Sequence, residues 1–407
     1  MKAILAFGLL ILISYLGSRG LFLRKNVLSP FYYILSSGLI YIFFGLVLGK
    51  KGINVLSPEV LNQLSPLINL GLGWIGFLFG FQLEKKFIQQ FPLKYLGFSF
   101  LHSVFSFLTV TFVSLIFLKI IYSSYSSFIL TGMAISLGIL ASISSSSFLP
   151  FFSNLIPHKG EYYRLALFSN NIDDFWALWG FAIITSFWHF PFFKEKILMK
   201  GFYLFVGSII FCIFLSIIFH LLTKIVNEQR DILTLLFGMV FFVSGGASFF
   251  NLSPIFACML FAFIFTRLTK LHEKIYPVFF SIEKPLYIIF LILIGALWNI
   301  SLNIWVIFLI LIFIGSKVAG NTLYLPVLRK ILKFPFALPP LYGLTFLSQG
   351  GMAIALAINI KLIYALPLTD VFLTIALFSI LINEFLAPIG LKISLIRLEE
   401  LASQKIV

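Results

Sequence analysis

The chain contains about thirteen apolar runs of roughly 20 residues each, and this repeated length is the feature that most restricts its fold. An α-helix rises ~1.5 Å per residue, so a run of this length crosses the ~30 Å of hydrocarbon in a bilayer. The sequence therefore predicts an all-α polytopic membrane protein. We expect residues 1–407 to form a single transmembrane domain without a soluble regulatory domain. The runs are centred near Leu10, Tyr41, Gly76, Val110, Leu137, Ala177, Phe211, Met239, Leu260, Leu291, Ile312, Ala353 and Leu377.

Composition excludes a water-soluble enzyme. Hydrophobic residues make up 60% of the chain and charged residues only 11%, so most of its exterior must face an apolar solvent. Because no A-x-A cleavage site follows the first run and Arg19 flanks its far end, we interpret this run as an uncleaved helix rather than a signal peptide. Cys212 and Cys258 lie inside apolar runs, so neither a disulfide nor a cysteine metal site is expected.

The net charge of +15 would suggest nucleic-acid binding in a soluble protein, but here it predicts orientation. Of the 29 Lys and Arg residues, 20 fall on the side of the connections after odd-numbered helices and 8 fall on the other side. Basic residues concentrate on the cytoplasmic side of membrane proteins. We therefore expect a bacterial inner-membrane protein with its N-terminus outside and its C-terminus in the cytoplasm. One basic residue, Lys317, belongs to neither side.

Two sequence features indicate an inverted repeat. Residues 77–83 in the third helix resemble residues 292–298 in the tenth, and an offset of seven helices reverses the direction of the second copy. The fifth and twelfth helices, also seven apart, both carry small or polar residues at mid-membrane. Interrupted helices at corresponding positions indicate a transporter binding site, although small residues also allow helices to pack closely. The residues expected to line the interruptions are Ser144, Ser145, Ser146, Ser147, Ser348, Gln349, Gly350 and Gly351.

Two adjacent carboxylates, Asp173 and Asp174, lie about nine residues, or ~14 Å, from the basic edge at Arg164. Placing one carboxylate at this depth costs at least ~2.5–3.5 kcal/mol, so the pair predicts a function. Neighbouring helical positions differ by ~100°, so the two need different partners. One can be neutralised by a fixed cation while the other faces a cavity and binds a proton or a hard cation. Asn170 and Asn171, which precede the pair, are secondary polar candidates.

Lys317 is the candidate fixed cation. It lies roughly twelve residues, or ~18 Å, from the basic edge at Arg329, too far for its stem of ~6 Å to reach the interface. We therefore predict a buried Asp–Lys pair. Glu384 is interpreted as an interface residue near a helix end, and the five histidines show no metal-ligand spacing.

With these residues in view, the chain resembles a bacterial sodium/hydrogen exchanger of the monovalent cation/proton antiporter superfamily, of the thirteen-helix double-aspartate type. The most specific match is the sequence Ile172-Asp173-Asp174. The resemblance implies that Asp174 binds Na⁺ and that Asp173, also an ion-binding candidate, pairs with Lys317. It implies core helices around 67–189 and 284–395, and dimerisation helices around 1–66 and 200–283, in a homodimer. Supporting matches are residues 70–84, 252–257 and 315–320.

The predicted function is exchange of cytoplasmic Na⁺ or Li⁺ for external protons by alternating access, without a cofactor. Because two carboxylates and an amine can change charge, we predict electrogenic exchange with more than one proton per cation. A K⁺/H⁺ antiporter would share this architecture. A sodium-coupled organic-anion symporter would not need the Asp–Asp–Lys set, and an intramembrane aspartyl protease needs aspartates on two helices.

Overall fold

The computed structural model describes residues 2–18, 38–146, 148–149, 160–187, 197–225, 229–250, 252–269, 272–364 and 368–399. Throughout these ranges the regular secondary structure is helical, which confirms the all-α prediction, and each of the thirteen predicted centres lies in a helix. Four of the described helices are long and apolar enough to cross a bilayer on their own. A bent pair of helices, 340–346 and 350–363, makes a fifth if it counts as one span. The total of thirteen spans stays a prediction.

The elements follow one another along the chain with mostly short connections. The first nine are α1 Lys2–Ser18, α2 Ile40–Leu48, α3 Pro58–Gln63, α4 Ser65–Gln82, α5 Lys85–Gln89, α6 Leu93–Ile121, α7 Ser127–Ser142, α8 Glu161–Phe187 and α9 Ile197–Ile225. The others are α10 Gln229–Phe249, α11 Pro254–Leu268, α12 His272–Leu297, α13 Ile304–Thr322, α14 Leu325–Leu332, the 3₁₀ helix Pro340–Phe346, α15 Gly350–Ile363, α16 Thr369–Leu391 and the π turn Lys392–Ile396.

Side-chain caps define where several of these helices begin. Ser126 accepts a hydrogen bond from the Ile129 amide before α7, and Asn303 accepts one from the Val306 amide, 2.8 Å away, before α13. A short polar side chain at this position satisfies an amide that has no partner inside the helix. These caps set the start of the helix that ends at the first predicted interruption and of the helix that carries Lys317.

The chain divides into two compact units. The first contains α1 to α5 and α9 to α12, and the second contains α6, α7, most of α8, and α13 through the π turn. This division differs from the predicted one, because α4 and residues 284–297 belong to the first unit rather than to the predicted core. The roles of core and dimerisation unit stay predictions.

Glycine allows two close helix crossings inside the first unit. A Cβ atom on Gly80 of α4 would overlap the carbonyl oxygen of Met259 in α11, and one on Gly295 of α12 would overlap that of Ile42 in α2. Any side chain would therefore push the backbones apart. Gly80 and Gly295 are the two glycines of the repeated sequence in the third and tenth predicted helices, and both occupy such a crossing.

Two interruptions lie in the second unit, where the sequence predicts them. The helix α7 ends at Ser142, and Ile143 continues in extended conformation with ψ 132°. The 3₁₀ helix and α15 are bent by 69° relative to each other, and Gly350 at the start of α15 has φ +64°. A left-handed φ favours glycine, which has no Cβ to clash. Ser147, one of the predicted lining residues, lies outside the described residues.

Candidate functional site

Asp173 is fully buried and held by hydroxyl groups from two other helices. Ser99 of α6 donates a hydrogen bond to Oδ1, and Ser144, just after α7, donates one to Oδ2, both at 2.5 Å. Nδ1 of His102, one turn after Ser99 on α6, lies 3.3 Å from Oδ2. Hydrogen bonds to an ionised carboxylate are stronger than those between neutral groups, so Asp173 links α8 firmly to α6 and to the α7 interruption.

Lys317 binds the end of α7 instead of an aspartate. Its Nζ donates hydrogen bonds to the carbonyl oxygens of Ala141, at 3.1 Å, and Ile143, at 2.7 Å. The last carbonyls of a helix have no partner inside the helix and carry partial negative charge, so a buried ammonium stabilises them. Among the described residues, Lys317 makes no ion pair within 4.0 Å, so the predicted Asp173–Lys317 pair is not formed. The lysine also interacts electrostatically with Glu384 and with both aspartates.

Glu384 binds the backbone amides at the start of α15, as Lys317 binds the carbonyls at the end of α7. Its Oε1 accepts hydrogen bonds from the backbone amides of Gln349, at 2.8 Å, and Gly350, at 2.6 Å, and from the hydroxyl of Ser348 at 3.0 Å. The first amides of a helix carry partial positive charge, which a carboxylate stabilises. With 1% exposure, Glu384 is not the interface residue that the sequence suggests.

Direct hydrogen bonds join the two interruptions. The Ser145 amide donates to the Ser348 carbonyl at 2.8 Å, and the Gln349 side-chain amide donates to the Leu140 carbonyl at 2.6 Å. Asn383 in turn donates to Oε1 of Gln349 at 2.9 Å. These hydrogen bonds link the end of α7 to the start of α15.

Asp174 and Asn170 lie one turn apart on α8 and keep polar atoms free. Oδ1 of Asp174 and both polar atoms of the Asn170 side chain are buried and have no hydrogen-bond partner within the described part of the chain. Asp174 is 9% exposed, whereas Asp173 is 0% exposed. Unpartnered buried oxygen atoms are costly and uncommon, and they are suited to a ligand.

Asn171 is satisfied, unlike Asn170. Its Oδ1 accepts a hydrogen bond from Ser146 at 3.0 Å, and its Nδ2 donates to the Leu167 carbonyl at 2.6 Å. It therefore fastens the α7 interruption to α8 and has no free oxygen comparable to that of Asn170.

The structure brings most of the predicted site residues together within one unit. Gly351 lies in the first turn of α15, next to the amides that Glu384 binds. Sequence reasoning missed Ser99, His102 and Glu384. The sequence of α6 contains a usable pattern, because four polar residues follow the i, i+3, i+4, i+7 spacing of one buried helical face: Ser99, His102, Ser103 and Ser106.

Comparisons with known proteins show the family and the fold of the chain. The family model described as "Sodium/hydrogen exchanger, transmembrane" matches residues 10–397. The structure of the sodium proton antiporter MjNhaP1 from Methanocaldococcus jannaschii at pH 8 superposes with a TM-score of 0.65 at 15% identity, covering 96% of this chain and 97% of that chain. An electron-microscopy structure of MjNhaP1 gives 0.62 at 16% identity, covering 96% and 95%. Comparison with curated protein sequences gives no match.

Proposed function

Because the chain belongs to the sodium/hydrogen exchanger family, we propose that it moves Na⁺ or Li⁺ out of the cytoplasm in exchange for external protons, with Asp174 as the residue that binds either ion. It is a multi-pass membrane protein whose cargo crosses the bilayer without covalent chemistry. The proposal places it in a bacterial inner membrane with its N-terminus outside, as the distribution of Lys and Arg favours.

One observation carries the site assignment. Within the part of the chain that the structure describes, Asp174 and Asn170 present buried oxygen atoms without hydrogen-bond partners on one face of α8, whereas Asp173 is already occupied by two hydroxyl groups. Na⁺ and Li⁺ are hard cations that prefer oxygen ligands. Asp174 would bind the cation as a carboxylate, with Asn170 as a second ligand, and would release it on protonation.

The helix-end interactions support an exchange mechanism. Lys317 and Glu384 satisfy the end of α7 and the start of α15 without using Asp174. The carboxylate of Asp174 is therefore free to exchange one ion for the other while the surrounding backbone stays satisfied. Since the pair Asp173–Asp174 and Lys317 can all change charge, we propose electrogenic exchange with more than one proton per cation.

The division into units supports an assignment of roles. Asp174, Asn170, Lys317 and Glu384 all belong to the second unit, so we assign transport to that unit and dimerisation to the first. A homodimer is part of this proposal. Mass measurement of the purified protein in detergent tests it, and a monomer at all concentrations would contradict it.

Everted membrane vesicles test the exchange directly. A dye that reports ΔpH should dequench on addition of Na⁺ for the wild-type chain. Asp174→Asn should abolish this response, because an amide cannot exchange a proton for a cation. Asp231→Asn, the same change at an exposed position of α10, should leave it intact. Normal exchange by Asp174→Asn would refute the site assignment.

The same vesicles test the finer parts of the proposal. Addition of Na⁺, Li⁺ and K⁺ in competition identifies the cation, and a response to K⁺ alone would identify a K⁺/H⁺ antiporter. An imposed membrane potential should change the rate if exchange is electrogenic. A rate independent of the potential would refute electrogenic exchange while leaving cation/proton antiport intact.

A further inference from the structure

The first turn of α8, the helix that carries Asp174, is fastened by a carboxylate from the far end of the described chain. Oε1 of Glu399, which follows the π turn after α16, accepts a hydrogen bond from the Tyr163 amide at 2.7 Å. Oε2 of the same carboxylate lies beside Gly160, so close that a Cβ atom on Gly160 would overlap it. Glu399 is 3% exposed, so its contact with the Tyr163 amide is shielded from water.

The Glu399 side chain thus satisfies the Tyr163 amide in the first turn of α8. The first four amides of a helix have no partner inside it, and a carboxylate bound there also interacts favourably with the helix dipole. A hydrogen bond to a charged group is stronger than one to a neutral cap. Glu161, the acidic residue in the same turn, hydrogen-bonds instead to the hydroxyl of Tyr95 on α6.

A second contact joins this turn to the interrupted helix of the site. The hydroxyl of Tyr342, in the 3₁₀ helix, donates to the Tyr162 carbonyl at 2.7 Å. The 3₁₀ helix leads to Ser348 and Gln349, which contact Glu384. The start of α8 is therefore held by α6, by the 3₁₀ helix and by the segment after α16, all within one unit.

The contact between Glu399 and the first turn of α8 is linked to Asp174 through a continuous helix. Asp174 lies 13 residues after Glu161 in α8, about 20 Å along the helix axis. A helix transmits a shift of its first turn along its length, because its backbone hydrogen bonds resist extension. A change at Glu399 therefore reaches the ion-binding residue without any direct contact.

We propose that Glu399 is a positioning residue for cation exchange: its carboxylate fixes the start of α8, and its protonation from the cytoplasmic side releases that start and lowers the maximal exchange rate. The inference rests on the proposed function. It adds a second proton-sensitive group, remote from Asp174, that acts on the rate of exchange instead of on cation binding.

Several titratable groups in the described part of the chain surround Glu399. Glu161, Tyr162, Tyr95 and Tyr342 interact with it electrostatically. Arg164 lies 3.7 Å from Glu161 and partly compensates that carboxylate. Among these described groups, the neighbour whose titration could imitate that of Glu399 is Glu161.

Kinetics in everted vesicles, whose cytoplasmic face meets the medium, separate the two proton-sensitive groups. Competition between proton and cation at Asp174 raises the KM for Na⁺ at acidic pH, whereas protonation of Glu399 lowers the maximal rate. In Glu399→Gln the maximal rate should stay, at every pH, near the low value that the wild-type chain reaches at acidic pH. The KM should keep its pH dependence. Glu399→Asp, which keeps the charge, should restore part of the pH-dependent maximal rate.

Two further variants and one control complete the kinetic test. A Cβ on Gly160 would overlap Oε2 of Glu399, so Gly160→Ala should displace the carboxylate and reproduce the effect of Glu399→Gln in weaker form. Glu161→Gln should retain the wild-type pH profile. Glu59→Gln, at an exposed position in the first turn of α3, controls for loss of a carboxylate. A wild-type profile of maximal rate in Glu399→Gln would overturn the proposal.

Hydrogen–deuterium exchange tests the fastening without transport. In Glu399→Gln the amide of Tyr163 should exchange at least about tenfold faster than in the wild-type chain. Unchanged exchange of this amide would overturn the role of Glu399 even if the chain is an antiporter. Conversely, if Asp174→Asn retains cation exchange, the ion site is wrong while the exchange of the Tyr163 amide still tests the contact.

Discussion

Nζ of Lys317 lies 2.7 Å from the carbonyl oxygen of Ile143, so the buried cation of α13 stabilises the interrupted end of α7. Glu384 stabilises the start of α15 in the opposite sense. A cation at a helix end and an anion at a helix start both act in the favourable direction of the helix dipole. The two residues therefore satisfy two carbonyls at the end of one helix and two amides at the start of another inside a low-dielectric region.

Removing Lys317 and Glu384 together should cost less stability than the sum of the single changes. Each single change, Lys317→Met or Glu384→Met, leaves free helix-end groups and one buried charge without its counter-charge, so each should lower the free energy of unfolding by about 2–4 kcal/mol. The double variant retains neither charge. Thermal unfolding in detergent of the wild-type chain, the two single variants and the double variant measures these stabilities. Strict additivity would show that the two charges do not interact.

Asp173→Asn should reduce stability while keeping measurable exchange. An amide accepts the hydroxyls of Ser99 and Ser144 less well than a carboxylate does, so we expect a loss of about 1–3 kcal/mol. Unfolding and vesicle exchange measure the two quantities on the same preparation. Loss of exchange at unchanged stability would instead identify Asp173 as an ion ligand.

Asn170→Ala should weaken cation binding, whereas Asn171→Ala should mainly lower stability. The Asn170 oxygen has no hydrogen-bond partner among the described residues, so its removal should raise the KM for Na⁺ about tenfold with little change in maximal rate. Asn171 is bound to Ser146 and Leu167, so its removal should mainly lower stability. Exchange kinetics over a range of Na⁺ concentrations checks both variants. The reverse pattern would place the ion beside Asn171.

Gly80→Ala and Gly295→Ala should each destabilise the first unit by about 1–3 kcal/mol, because the new methyl group would overlap a backbone carbonyl of the neighbouring helix. Gly238→Ala in α10 is the matched control, since a Cβ there has no neighbour within 4 Å. It should be neutral or slightly stabilising, by up to about 1 kcal/mol. Unfolding midpoints in detergent measure all three. Equal midpoints would show that the crossings tolerate a side chain.

The candidate site was predictable from the sequence to the extent that charge at membrane depth is rare. Asp173, Asp174 and Lys317 stand out in apolar runs for that reason, and the serine and glycine stretches stand out because they interrupt those runs. Glu384 was not identified, since its position was interpreted as a helix end. His102 and Ser99 were missed because one polar face of a long apolar helix changes its average hydropathy very little.

The sequence by itself determined that the chain is an all-helical membrane protein, where its thirteen apolar segments are centred, and that Asp173, Asp174 and Lys317 lie inside them, because each of these follows from local hydropathy and spacing. Only the tertiary structure decided the partners of those charges. Lys317 lies 174 positions after Ile143, and Glu399 lies 236 positions after Tyr163. Helix packing determines which polar groups meet across such separations. A lysine that the sequence pairs with an aspartate therefore binds a helix end instead, where unsatisfied carbonyls would otherwise be buried.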